Sequence, residues 1–348
     1  YDFTLDDPHL WWCNGQGEAY LYRWVVRSSA DVREGTVGFR RIALVMNDGA
    51  WSDPSLFPKS RSAAPITVEL NGRRIFAKGS NWVLPDMFPG ALTPEMIERH
   101  VTLAQKAHMN IFRCHGGSGI NKNVFYETCD RLGIMVWVEF PLACNNYRGT
   151  PEYLRTLTQE ATAIIRRLRP HASVCIWCGG NELFNSWSGM TDQSLALRLL
   201  NKLCYELSPE RPFLMTSPLY GMGHGGYTFW DDAQNCDCFT LFQKNHCTAY
   251  SEFGIPATCS VETLRSIIPE EVLFPPKPEE NWIAHHAFGA WGEKRWLCPD
   301  VISRYFRVNS IEELVYCSQW LQCEGYKAIF EEARRQWPHC SMAINWCF

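Results

Sequence analysis

Two glutamates stand where an apolar run gives way to a loop. Glu182 closes WCGGNE (177–182), after the run SVCIWC (173–178), and Glu252 falls within AYSEFG (249–254). One carboxylate past a buried strand serves as a helix cap as readily as a reagent, since an acid in a first helical turn offsets the dipole by only about 1 kcal/mol. Two that converge on one crevice can do more. Held at different pKa values, one protonates a leaving oxygen while the other attacks an anomeric carbon or activates water, which is the division of labour in glycoside hydrolysis. Gly179 and Gly180, just before Asn181 and Glu182, would let the backbone approach a ligand closely.

The elements that must position these groups can be read from residue 66 onward. Candidate strands at 75–82, 109–115, 134–140, 173–178, 212–217, about 226–230, 247–252 and 341–348 alternate with amphipathic helices. Two helices open with Thr-Pro, at Thr93-Pro94 and Thr150-Pro151, a cap followed by a proline whose missing N–H costs nothing there. Further helical segments are 121–132, 191–207 and 311–336. Short apolar strands alternating with helices predict a parallel sheet buried on both faces, and eight of them predict an α/β fold of (β/α)8 barrel type. Barrel enzymes carry their reagents at the C-terminal strand ends. Those ends offer Arg113, His115, Glu139, Glu182, His224 and Glu252, and the fourth and seventh strands would set Glu182 and Glu252 across one mouth. Glu139 is read as a structural hydrogen-bonding group. Arg113, where the second strand opens into its loop, is read as a site residue, with simple pairing to Glu139 as the alternative.

Upstream, 19–26 and 36–45 have strand character, and SDPSLFPKSRSAAP (52–65) reads as a linker. That is too little β pattern for a sandwich of the usual ~100 residues, so residues 1–64 are expected to be the C-terminal part of one. Residues 65–348 are expected to be the barrel, truncated after its eighth strand. A net charge of -4 with both signs interleaved gives no basic stripe for nucleic acid. No stretch approaches the roughly 18 apolar residues of a membrane span. Fifteen tryptophans suit cores and sugar faces alike. The sixteen cysteines lack the spacing of a disulfide framework and favour a reducing compartment. Cys175 and Cys178, three apart on a strand, are expected to point to opposite faces and so not to share a metal. Cys236 and Cys238 lack a second ligand pair. Neither a metal nor a cofactor is expected.

These stretches carry a resemblance. Asn181-Glu182 and SEFG (251–254), with KGSNWVLPD (78–86), NIFRCHGG (110–117) and FYETCDRLGIMVWVEFPLAC (125–144), resemble glycoside hydrolase family 2, nearest its β-mannosidase-like branch. LWWCNGQGEAYLY (10–22) and VGFRRIAL (37–44) are similar to the end of the immunoglobulin-like domain that precedes the family's barrel, so the likeness covers nearly the whole chain. It implies a retaining exo-β-glycosidase acting on carbohydrate, with β-mannosides first. A β-galactosidase, β-glucuronidase or exo-β-glucosaminidase of the same family, or a non-catalytic carbohydrate-binding barrel, are the alternatives. It further implies Glu182 as acid/base, kept protonated by its surroundings, and Glu252 as nucleophile. Asn181 would bond the sugar 2-hydroxyl, Arg113 would hold the nucleophile ionised, Trp346 would form the platform under the sugar, and Trp82 would line the same subsite. His224, Tyr227 and Trp230 loosely echo the branch's His-Tyr-Trp after the sixth strand. Two departures stand out: Arg-Cys-His-Gly-Gly replaces the usual Arg-x-Trp-Gly-Gly, and Gly-Gly-Asn-Glu replaces Gly-Asn-Asn-Glu.

Overall fold

The structure, a computed structural model, describes residues 4–50, 63–288 and 299–348; most of the expected linker, 52–62, lies outside the described residues. The chain divides into two compact units. The first runs to His224 and takes in Cys247–Glu252 and Trp337–Phe348; the second comprises Gly225–His246 and Phe253–Gln336.

The first unit is built on eight parallel strands: Ala77–Trp82, Ile111–Cys114, Met135–Glu139, Val174–Cys178, Phe213–Leu214, Met222–His224, Ala249–Glu252 and Met342–Asn345. The eighth pairs with the first, Ile344 opposite Gly79, which curls the sheet into a TIM barrel. The ladder runs from the fifth strand round to the sixth, and among the described residues no ladder joins those two. Helices Pro94–Lys106 and Pro151–Leu168 start as their sequences predict, with the Thr93 and Thr150 side chains accepting from the backbone N–H of Met96 and Tyr153. Asn123–Leu132 ends on Gly133 at φ 72°, a left-handed cap that glycine adopts without strain.

One strand differs from expectation. The sixth is Met222–His224, not the aromatic run 226–230. Its glycine is required by the neighbour it pairs with: a Cβ on Gly223 would lie 2.5 Å from the ring of Tyr250 on the seventh strand. A strand chosen for close approach therefore carries none of the β-branched residues that advertise strands. Trp230–Asp231 instead pairs with Cys236–Asp237 in a short hairpin of the second unit.

Alternation along the strands sorts side chains into two layers. Phe112, Val136, Val138 and Trp82 face the helices with Phe125, Tyr126, Leu197 and Leu200. Ile111, Met135, Trp137 and Ile344 form a second core with Trp11, Ile42, Ile66 and Val68 from the upstream segment. Cys175 and Cys178 both belong to this second core, contrary to the expectation of opposite faces. The reason is an extra residue: Val136 pairs with Val174 but Trp137 with Ile176, so a bulge at Cys175 resets the alternation. Every cysteine among the described residues is a free thiol.

Upstream, Tyr22–Arg27 pairs antiparallel with Val32–Val37, and Ile42–Val45 with Thr67–Leu70 and through it Arg73–Ile75. These small antiparallel sheets fit a partial all-β region before the barrel. The expected strand 36–45 is split near Gly38, where a Cβ would lie 2.8 Å from that of Ala172. The second unit holds the helix Ile311–Arg335, whose face packs against Cys238–Lys244. No helix among the described residues is long and apolar enough to cross a membrane.

Candidate active site

Asn181 and Glu182 reach the mouth because two glycines precede them. A Cβ on Gly179 would lie 2.2 Å from the Met215 carbonyl oxygen, and one on Gly180, whose φ is 152°, would lie 2.2 Å from that of Leu142. The glycines thus admit neighbouring backbone, which replaces the expectation that they make room for ligand. The segment is then pinned, with Asn181 N–H donating to Leu142 O at 2.9 Å and Glu182 N–H to Ser217 O at 2.7 Å. Glu182 itself sits at φ 52°, a left-handed conformation that a non-glycine residue holds at a cost and that clusters at functional sites.

Arg113 lies at the centre, fully buried. Its Nε donates to Glu139 Oε1 at 2.9 Å, while Nη1 donates to Asn81 Oδ1 at 2.6 Å and Glu252 Oε2 at 3.0 Å; Nη2 donates to Asn181 Oδ1. Arg113 therefore pairs with Glu139 and with Glu252 alike. Burial works against its charge, but Glu139 and Glu252 more than compensate and hold its pKa above the ordinary value. Glu139, also fully buried, has its carboxyl pushed up by that burial even though Arg113 and the Gly116 N–H oppose the shift.

His224 joins the two carboxylates. Its Nε2 lies 2.9 Å from Glu182 Oε1 and 3.2 Å from Glu252 Oε2, so those oxygens are no further apart than the two distances laid end to end, about 6 Å. Its Nδ1 is 3.1 Å from Ser251 Oγ. The glutamates differ in exposure, 21% for the Glu182 side chain against 9% for Glu252. Burial raises the Glu182 carboxyl, yet His224, then Cys144 and Arg113, outweigh it and leave the pKa below the usual carboxylate range. These groups favour the ionised form of Glu182, contrary to the expectation that its surroundings keep it protonated.

The remaining expected residues separate into three groups. Trp346 follows the eighth strand, half-buried, its ring centroid 5.0 Å from that of His115 at 78°. Trp82 is not at the mouth: it is 1% exposed, packs on Phe112 and Phe125, and donates from Nε1 to Asn121. Asn81 points to Arg113, so its neighbour Trp82 must point outward to the helix layer. Tyr227 and Trp230 belong to the second unit, where the Arg304 guanidinium lies 4.5 Å over the Trp230 ring.

Asn81 and Cys144 went unassigned from sequence, and His115, offered by its strand end, was given no role. Asn81 holds Arg113 and donates to the carbonyls of Ser251 and Asn345, tying the first strand to the seventh and eighth. His115, mostly buried, is driven down to about pKa 3 by burial, then by Arg113 and His224, and is therefore neutral. Cys144 Sγ lies 3.3 Å from Glu182 Oε2 and 3.3 Å from Asn181 Nδ2. Its position just past the third strand was the available signal. Among the described residues no group of three or more His, Cys, Asp or Glu side chains could hold a metal ion.

Residues 66–216 match the family model described as the TIM barrel domain of the family 2 glycosyl hydrolases. The chain is 25% identical to β-mannosidase B of Thermothelomyces thermophilus, over 99% of its own length and 44% of that protein's. It is 28% identical to β-mannosidase of Capra hircus, over 93% and 40%. The crystal structure of a β-D-mannosidase from Dictyoglomus thermophilum superposes with a TM-score of 0.83 at 27% identity, covering 99% of this chain and 43% of that one. The chain thus spans less than half the length of the relatives it matches.

Proposed function

The chain belongs to the family 2 glycosyl hydrolases, and from that premise we propose that it carries the catalytic barrel of a retaining exo-β-glycosidase acting on β-mannosides. In this reading Glu252 attacks the anomeric carbon while Glu182 protonates the leaving oxygen, and Glu182 then activates the water that releases the glycosyl-enzyme. Residues 1–64 are the C-terminal part of an immunoglobulin-like sandwich joined to the barrel at 65–348, with the pairing of Ile42–Val45 and Thr67–Leu70 as the seam.

The observation that carries the reading is the pair of contacts to His224. Two carboxylates that both approach one imidazole nitrogen, at 2.9 and 3.2 Å, converge on a single crevice, as a nucleophile and an acid/base must. The environments also divide the roles. Glu252 is nearly buried and held in place by the Arg113 guanidinium at 3.0 Å, as a nucleophile aimed at one carbon must be. Glu182 is the more exposed and has no comparable direct ion pair with Arg113, so closing a sugar over it removes the water that favours its charged form. Asn181 keeps a second amide hydrogen for a sugar hydroxyl once Arg113 and Cys144 are served. The relatives named above are β-mannosidases, which supports mannose as the sugar.

The experiment is release of nitrophenol from a panel of nitrophenyl β-glycosides, with the anomeric configuration of the first-formed product read by NMR. β-Mannoside cleavage with β-mannose formed first is the expected result. α-Mannose formed first would overturn the retaining assignment, and preference for another sugar would overturn the substrate.

A further inference from the structure

Donor and acceptor identities around Asn181 permit one arrangement. A guanidinium only donates, so the Asn181 oxygen must be the atom facing Arg113, and its NH₂ must face Cys144. The sulfur therefore accepts from Asn181, and its own S–H is left to donate to the Glu182 carboxylate. Arg113, Asn181, Cys144 and Glu182 form a chain running in one direction, and His224 closes it back to Glu252, the other anion on Arg113.

We propose that Cys144 is a positioning residue for the acid/base: its thiol fixes the Glu182 carboxyl and the Asn181 amide together and favours the ionised form of Glu182. This rests on the glycosidase reading above but assigns a role to a residue that reading does not use. Cys144 is exposed and at φ 49°, outside the apolar layers, so packing does not explain its side chain. The groups facing Glu182 are Cys144, His224, Arg113 and, from the loop after the second strand, His115, with Glu252 across the same imidazole. Of these, Cys144 alone bonds Oε2 through a donor and also orients Asn181. In agreement, burial and the adjacent Glu182 charge outweigh the Asn181 N–H and push the thiol up to about 11, as expected of a donor to an anion and not of a nucleophile.

Two measurements test it. In the first, the rate of Cys144 alkylation by iodoacetamide is followed by peptide mass spectrometry at fixed pH, with the exposed Cys259 and Cys323 as internal references. Glu182→Gln removes the anion, so Cys144 should react at least about threefold faster relative to the references, since more thiolate forms; an unchanged ratio would overturn the inference. In the second, the basic limb of the kcat/KM profile reports the acid that must be protonated. Cys144→Ala should move that limb upward with the acidic limb fixed, and Cys144→Ser, which keeps a donor, should return it; limbs superimposed in all three proteins would equally refute the role. A protein inactive on every glycoside would sink the functional reading, while the alkylation measurement would still decide this one.

Discussion

Arg113 donates to Glu252 at 3.0 Å and to Glu139 at 2.9 Å, so one fully buried cation is shared between two carboxylates from different strands. Truncating one member of such a set leaves charges buried without a partner, at about 3–5 kcal/mol. Arg113→Ala should therefore lower the unfolding free energy by an amount in that range. Arg113→Lys should recover part of the stability but little activity, because a point charge cannot serve Asn81, Asn181 and both carboxylates at once. Urea denaturation beside turnover on the same preparations checks both.

His224 touches both glutamates, so its removal should lower turnover and also move the limb of the pH profile that Glu182 sets. Its nearness depresses the Glu182 carboxyl. Because the acid/base must be protonated, a depressed pKa sets the basic limb low, and His224→Ala should raise it. Glu182→Gln should lower turnover by about 10²–10⁴-fold, the usual contribution of a positioned acid.

His115 offers a stability test independent of activity. Its pKa is about 3 when folded, against about 6.5 in an unfolded chain, so the unfolded state binds more protons between those values. The resulting stability is fully present above about pH 6.5 and is lost as pH falls towards 3. Denaturation across that window should show a slope that flattens in His115→Gln. An identical slope in the variant would contradict a neutral His115.

Trp82 and Gly180 separate folding from the site. Trp82→Ala should cost about 3–5 kcal/mol as a core truncation, whereas Trp82→Phe should lower Tm and leave KM unaltered. Gly180→Ala forces a Cβ onto the Leu142 carbonyl oxygen and should destabilise by about 1–3 kcal/mol. It should also reduce kcat, since Asn181 and Glu182 would shift with it. Thermal melts with steady-state kinetics distinguish the two behaviours.

Much of this was legible in the chain because it follows from periodicity and caps. Thr93-Pro94 and Thr150-Pro151 mark helix starts that hydrogen bonds then realise. Strand ends draw attention to Arg113, Glu182 and Glu252, whereas His224 precedes the expected strand at 226–230 and ends the one that forms, Met222–His224. What stayed hidden depends on tertiary contact. The sixth strand is spelled with glycine because of the Tyr250 ring beside it, and the bulge at Cys175 follows from register with the third strand. Trp82 reads as a sugar-facing aromatic until alternation from Asn81 turns it outward. Cys144 is not singled out by the sequence, because a residue's partner across a barrel mouth leaves no mark on its own neighbours in the chain.

The central claim is that Glu252 bonds covalently to the sugar with Glu182 beside it. Incubation with a 2-deoxy-2-fluoro-β-mannosyl fluoride, followed by proteolysis and peptide mass spectrometry, tests it directly. The account predicts one fluorosugar per chain on the peptide containing Tyr250-Ser251-Glu252-Phe253, and none in Glu252→Gln. A label on Glu182 or on another residue, or steady hydrolysis of natural substrate with no label formed, would contradict it.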